Sequence, residues 1–266
     1  MLRVASVPYL VGRPLDFGLE EERDIRFSTA PPSELVVGLR SGELDVALAS
    51  SIELFRQPGY TYLDGLCVGG ERFVSSVQIF LKKPVEAVQR VDLDPASRTS
   101  ATLARIVWPA PPSRKPHFYE VEPGVDPRRG PGDAWLRIGD ACMREYLVPD
   151  VPQVLNPSEE WREMTGLPFA FALWIVRPGL DIAPWIPAFT RAFTRGQSRL
   201  DELARNAARA WGVPHEATRR YLLEECAYDL GERLTPSLLA FRKEAAKLDL
   251  ARLDLDPQPI PVAVPR

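Results

Sequence analysis

The stretch Val74-Ser75-Ser76-Val77-Gln78-Ile79-Phe80-Leu81 is mostly β-branched or aromatic, and a second such run, Phe169-Ala170-Phe171-Ala172-Leu173-Trp174-Ile175-Val176, follows about 95 residues later. Both are too long and apolar for ordinary loops, so each reads as a buried strand. If these runs are where the chain crosses between two halves, the segment between them is one lobe and the outer segments together form the other. The prediction is a two-lobed α/β protein with a ligand cleft between lobes. Lobe 1 takes residues 1–76 and 174–266, and lobe 2 takes residues 77–173.

Outward from the first run, the preceding residues alternate strand and helix: Leu2 to Ser6, Asp24 to Phe27, a helix from Pro32 to Arg40, then Asp45 to Ala49. Such alternation argues for a parallel sheet with helical crossovers. The helix has Pro at its first turn, apolar Leu35, Val36 and Leu39 on one face, and Gly42 after its end. Between the runs lie a strand at Val91 and Leu93, a helix from Arg98 to Trp108, strands at His117 to Val121 and Trp135 to Ile138, and a helix from Ala141. The stretches Pro109 to Pro116 and Pro123 to Pro131 read as edge loops. After Pro184 the pattern is helical: Trp185 to Trp211 interrupted at Gly196, Glu216 to Cys226, and a helix capped by Thr235 with Pro236 at its first position. The tail from Asp256 to Arg266 has four prolines and reads as a strap or frayed end.

Composition excludes several functions. With 33 basic against 36 acidic residues and no long run of either sign, neither nucleic acid nor a membrane surface is an expected partner. No apolar stretch reaches about 18 residues, and the residues after Met1 lack a secretory core, so a cytoplasmic setting is expected. Cys67, Cys142 and Cys226 are far apart, and only His117 and His215 accompany them. Reduced, mostly buried thiols and no metal site follow. No GxGxxG, P-loop, GxSxG or HExxH motif occurs, and no cofactor is expected.

Five positions could carry chemistry. The turn Asp94-Pro-Ala-Ser97-Arg98-Thr99-Ser100 runs from a strand into a helix, where free N–H groups, hydroxyls and the positive helix end suit a carboxylate or phosphate. Ser50-Ser51 follow a strand at its carboxyl end, the side that faces the crevice in open α/β sheets. Gly139-Asp140 end a strand before a helix. For all three, helix capping alone is a competing explanation. Ser75 and Ser76 stand inside an otherwise apolar strand, and alternation lets only one face the cleft. After the first strand, Tyr9 or Arg13 could reach an anion, although packing by Tyr9 and Leu10 explains them as well. With both histidines in cap-like or surface settings, any reaction must rest on positioning and hydrogen bonds.

Taken in order, several of these motifs resemble the menaquinone-pathway chorismate dehydratases. They are Tyr9-Leu10-x-x-x-Pro14-Leu15, Asp45-Val-Ala-Leu-Ala-Ser-Ser51, Val74-Ser-Ser76-Val-x-Ile-Phe80, Ser97-Arg-Thr-Ser100, Ile138-Gly-Asp-Ala141, Trp161-x-x-x-Thr165-Gly-Leu-Pro-Phe-Ala-Phe171-Ala and Tyr228-Asp-Leu-Gly231. Singly they are weak, but in this order they are specific. The resemblance implies a type II periplasmic-binding-protein-like fold in a cytoplasmic enzyme of the futalosine route. It implies dehydration of the dianion chorismate to 3-[(1-carboxyvinyl)oxy]benzoate. It also puts Ser76 beside the substrate and a carboxylate on the Ser97 to Ser100 turn, with Tyr9, Ser50, Ser51, Gly139 and Asp140 around them. One departure stands out: the family asparagine after the Tyr-Leu pair is Val11 here. Arg13 or a water supplies the missing hydrogen bond, or the activity is altered. With no side-chain base evident, the substrate's enolpyruvyl carboxylate is the expected proton acceptor. The competing readings are a small-anion binding module of the same fold and the naphthoate synthase of the same route, whose opening motif and histidine are missing. A LysR-type effector domain would need a helix-turn-helix, which is absent.

Overall fold

The computed structural model describes residues 1–263, so the part of the tail from 264 to 266 lies outside the described residues. The first fifty residues fold as the alternation predicts. The strand β1 (Leu2–Ser6) is followed by a short helix α1 (Arg13–Asp16), β2 (Ile25–Thr29), α2 (Pro32–Ser41) and β3 (Val46–Ser50). β1 pairs in parallel with β2 on one side and β3 on the other, and every residue of β3 is buried, as a strand covered on both faces requires. α2 buries Leu35, Val36 and Leu39 and ends at Gly42.

The ten-residue β4 (Thr61–Gly70) leads to β5 (Val77–Leu81), and the chain then builds a second sheet. β6 (Arg90–Leu93), α3 (Thr99–Val107), β7 (His117–Glu120), β8 (Ala134–Ile138), α4 (Gly139–Tyr146), β9 (Val154–Leu155) and α5 (Pro157–Thr165) follow in turn. β10 (Phe169–Val176) returns to the first sheet, and α6 (Ile186–Gln197), α7 (Leu200–Trp211), α8 (His215–Arg220), β11 (Cys226–Ala227), α9 (Leu234–Ala246) and β12 (Gln258–Pro261) complete the chain. The larger sheet has the order β11-β4-β10-β3-β1-β2, with β12 also on β4, and the smaller has the order β7-β6-β8-β5-β9. An apolar core with Trp174, Trp161 and Phe241 at its large-sheet side continues into the small sheet through Ile79, Val91 and Leu136.

The run Phe169–Val176 is one strand, but it pairs along its length with β3 and β4. The return to the large sheet therefore lies before Phe169, not at the expected boundary between 173 and 174. The first run divides: β5 begins only at Val77, and Val74, Ser75 and Ser76 form a turn. Their backbone groups are committed elsewhere. The Val74 carbonyl accepts from the Gln78 and Asn156 side chains at 3.3 and 3.1 Å, and Glu225 Oε2 accepts the Ser75 N–H at 2.7 Å. A side chain at Gly70 would also collide with Val74, its Cβ falling 2.3 Å from Val74 Cγ2, so the turn packs directly on bare backbone.

Three further expectations are corrected. α3 begins at Thr99 instead of Arg98. α9 begins at Leu234, so Thr235 lies inside its first turn and makes no cap, because a 3-10 turn at Gly231–Arg233 feeds straight into the helix. The segment read as a helix from Glu216 to Cys226 is α8 followed by a π-turn, Tyr221–Glu225, and then β11. Cys67 and Cys142 are buried, and all three cysteines are unpaired thiols. Among the described residues no helix is long and apolar enough to cross a membrane.

Candidate active site between the two sheets

Between the sheets lies a cavity of about 630 Å³, counting its open mouth, within the usual range for small-molecule sites. Leu48, Val68 and Phe171 give it an apolar wall from the large sheet, and Val77 and Ile138 give one from the small sheet. Tyr9, Val11, Ser50, Ser76, Ser97, Arg98, Thr99, Ser100 and Gly139 all line it. Segments more than a hundred residues apart thus meet at one point. Ser51 and Asp140 do not line it.

The start of α3 supplies the most polar corner. Ser97 Oγ accepts the Ala101 N–H at 3.1 Å, so the capping group is also a wall group. Arg98 turns into the cavity and its buried Nε has no hydrogen-bond partner. Burial holds the Arg56 guanidinium below its ordinary value, and the charge of Arg98 pushes in the same direction. Arg56 itself stands outside the lining, its Nε donating to the Leu250 carbonyl at 3.1 Å, so the guanidinium at the corner where the helix end is already positive is that of Arg98. Thr99 Oγ1 accepts the Ile52 N–H at 3.3 Å and lies 3.4 Å from Ser51 Oγ, while Ser51 donates to the Ala170 carbonyl at 2.7 Å. Ser51 is a brace behind the wall, and Thr99 ties α3 to the large sheet.

A second seam closes the opposite lip. Gly139 has φ +66°, and a Cβ there would sit 3.0 Å from the Tyr9 ring, so only glycine lets the ring lie flat against this backbone. The Leu10 N–H donates to Asp140 Oδ1 at 2.9 Å, and the Gly139 N–H donates to the Ser76 carbonyl at 2.8 Å. Burial pushes the Asp140 carboxyl up to about 6, with the Leu10 hydrogen bond opposing it. Burial, helped by the charges of Asp94 and Asp140, pushes the Tyr9 phenol up to about 12. Tyr9 thus meets the cavity as a neutral hydroxyl, and Asp140 joins the two sheets from outside the wall.

Both serines of the first run are buried, but Ser76 alone of the pair lines the cavity. Tyr221 Oη donates to Ser76 Oγ at 2.8 Å. Sequence reasoning missed Tyr221 because it stands 145 residues away, inside a stretch that reads as plain helix. It also missed Cys226, which lines the cavity from the start of β11. Val11 lies in the wall, and the alternative donor Arg13 is turned away, its guanidinium 3.1 Å from buried Asp16 Oδ1. Among the described lining residues there is no carboxylate and no imidazole.

Two α/β lobes around a single cavity define the periplasmic-binding-protein class of fold. Solved structures are similar along nearly the whole chain. One from Archaeoglobus fulgidus aligns at TM-score 0.73 and 17% identity, covering 94% of this chain and 98% of that one. The alkanesulfonate-binding protein SsuA of Xanthomonas axonopodis pv. citri, solved with bound MOPS, aligns at TM-score 0.67 and 16% identity over 98% of each chain. The sequence narrows this further: residues 2–247 match the menaquinone biosynthesis family, and the chain belongs to it. The chorismate dehydratase of Thermus thermophilus is 30% identical over 258 residues, 88% of this chain and 94% of the relative. That of Campylobacter jejuni is 28% identical over 165 residues, 62% of this chain and 58% of the relative.

Proposed function

We propose that this chain is a hydro-lyase, a chorismate dehydratase that converts chorismate to 3-[(1-carboxyvinyl)oxy]benzoate in menaquinone biosynthesis. The observation that carries the reading is the cavity's chemistry, in a chain of that family. Neutral hydroxyls, the unpartnered Arg98 Nε and the positive end of α3 converge on it, and no lining side chain is a base. Such a site suits a dianion that supplies its own base. The cytoplasmic setting belongs to the same reading.

In this reading the Ser97 to Ser100 turn and Arg98 hold one carboxylate, and Tyr9, Ser50 and the Gly139 backbone face the rest of the molecule. The catalytic positions are Ser76 and the wall position filled by Val11. The C3–H bond breaks and its proton passes to the enolpyruvyl carboxylate of the substrate. The electron pair forms the ring double bond between C3 and C4, the C4–O bond breaks, and the hydroxyl leaves as water with the proton that the carboxylate took from C3. The product ring is aromatic, so the protein's task is orientation and exclusion of competing reactions. The large sheet with its helices and the small sheet with its helices act as the two lobes, joined at the turn 74–76 and at the segment before Phe169.

Incubation of the purified protein with chorismate tests the reading, with the product followed by ultraviolet absorbance and mass. Appearance of 3-[(1-carboxyvinyl)oxy]benzoate is expected. Binding of chorismate without conversion would instead mark a small-anion binding module. A substrate deuterated at ring C3 checks the proton's route: direct transfer to the enolpyruvyl carboxylate predicts a primary isotope effect that survives mutation of every lining hydroxyl.

A further inference from the structure

The π-turn Tyr221–Glu225 lies between α8 and β11 and grips the crossing turn at two adjacent residues. Tyr221 donates to Ser76 Oγ at 2.8 Å, and Glu225 accepts the Ser75 N–H at 2.7 Å. Arg220 holds the other oxygen of Glu225 at 3.1 Å. Two side chains four residues apart on one turn thus fix the backbone of Ser75 and the hydroxyl of Ser76, the one of the pair that lines the cavity. Single π-turns inside helices recur at functional sites because they re-aim side chains that an unbroken helix would misplace.

A serine hydroxyl has one hydrogen and two acceptor lone pairs. With Tyr221 occupying a lone pair of Ser76, the serine's own hydrogen is free for the cavity. Tyr221 is 1% exposed, and burial pushes its phenol well above the ordinary value, so it keeps its proton and remains a donor. A Ser76 that accepts from a neutral phenol is poorly disposed to act as a base.

We propose that Tyr221 is a positioning residue: its hydroxyl sets Ser76 as a hydrogen-bond donor toward an anionic oxygen of the substrate. The inference rests on the dehydratase reading above and names how that site is held. Tyr221 acts only through Ser76 and does not touch the substrate.

The test is a double-mutant cycle of wild type, Tyr221→Phe, Ser76→Ala and the double variant. Each protein is measured for kcat and KM with chorismate and for Tm. Tyr221→Phe should lower kcat/KM roughly tenfold, the worth of about one buried hydrogen bond, with Ser76→Ala lowering it further. The double variant should match Ser76→Ala alone, because without Ser76 Oγ the phenol has nothing to orient. Losses that multiply in the double variant, or a Tyr221→Phe protein with wild-type kinetics, overturn the proposal, since the phenol would then be a structural group with its own effect. Failure of the wild type to convert chorismate counts against the dehydratase reading instead. The same cycle is then read in the chorismate Kd by calorimetric titration, where non-additivity supports the role of Tyr221 and additivity overturns it. A wild type that neither converts nor binds chorismate overturns both.

Discussion

At and behind the cavity wall, the roles of two serines are set by the partners on their far sides. Ser51 spends its hydroxyl on the Ala170 carbonyl, whereas Ser76 receives one from Tyr221 and retains its own to give. Both serines were legible as candidates, Ser51 from its place after a strand's carboxyl end and Ser76 as a hydroxyl inside an apolar run. Which of them serves as a brace was not, because Ala170 lies 119 residues from Ser51. Val11 belongs to the same scale. It packs in the cavity wall with 7% exposure, and no neighbouring side chain supplies an amide in its stead, Arg13 being turned to Asp16. Replacing valine by a nearly isosteric amide that can face the cavity adds a donor and an acceptor to its wall. Val11→Asn should therefore raise kcat with chorismate severalfold, and unchanged or lower kcat at equal Tm would refute that role for the position.

Strands and helices that stand on local pattern were readable, and those that stand on distant partners were not. Phe169–Val176 is a strand along the whole apolar run because neighbours on both sides cover it. Val74–Ser76 opens the other apolar run yet is a turn, since carboxylate and amide side chains from Glu225 and Asn156 take its backbone groups. The start of α4 is where an element's end and the site meet. Gly139 stands at φ +66° under the Tyr9 ring, and a methyl group there strains the backbone by about 1–2 kcal/mol and displaces the ring. Gly139→Ala should lower Tm by several degrees and raise the KM for chorismate, measured by calorimetry and steady-state kinetics. A variant with lowered Tm and an unchanged KM would show that the seam serves stability alone.

For the whole molecule, burying carboxyls without full compensation leaves a mark on its response to pH. Asp16 is 0% exposed, and burial, opposed by Arg13 and Ser6, pushes it up to about 6. Because the folded state then binds a proton more tightly than the unfolded chain, folding gains from this group below its ordinary value of 3.8 and loses that gain as pH rises towards 6. The difference is on the order of 3 kcal/mol. Asp16→Asn, which stays neutral, should gain on the wild type between pH 4 and pH 7 in chemical denaturation, and parallel pH profiles would contradict the assignment. The C-terminal strand bears on a different property of the molecule. The outer edge of β4 is shared: β11 covers Gly69 and Gly70, and β12 covers Thr61 to Asp64. Without β12 those N–H and C=O groups would stand as an open template beside Tyr62 and Leu63, both now buried. A chain cut after Leu255 should still fold but self-associate through that exposed strand, giving concentration-dependent growth in light scattering that the full chain lacks. The proline-rich tail is then a guard against polymerisation, fastened by its own backbone to the place where a neighbouring molecule would otherwise add its strand.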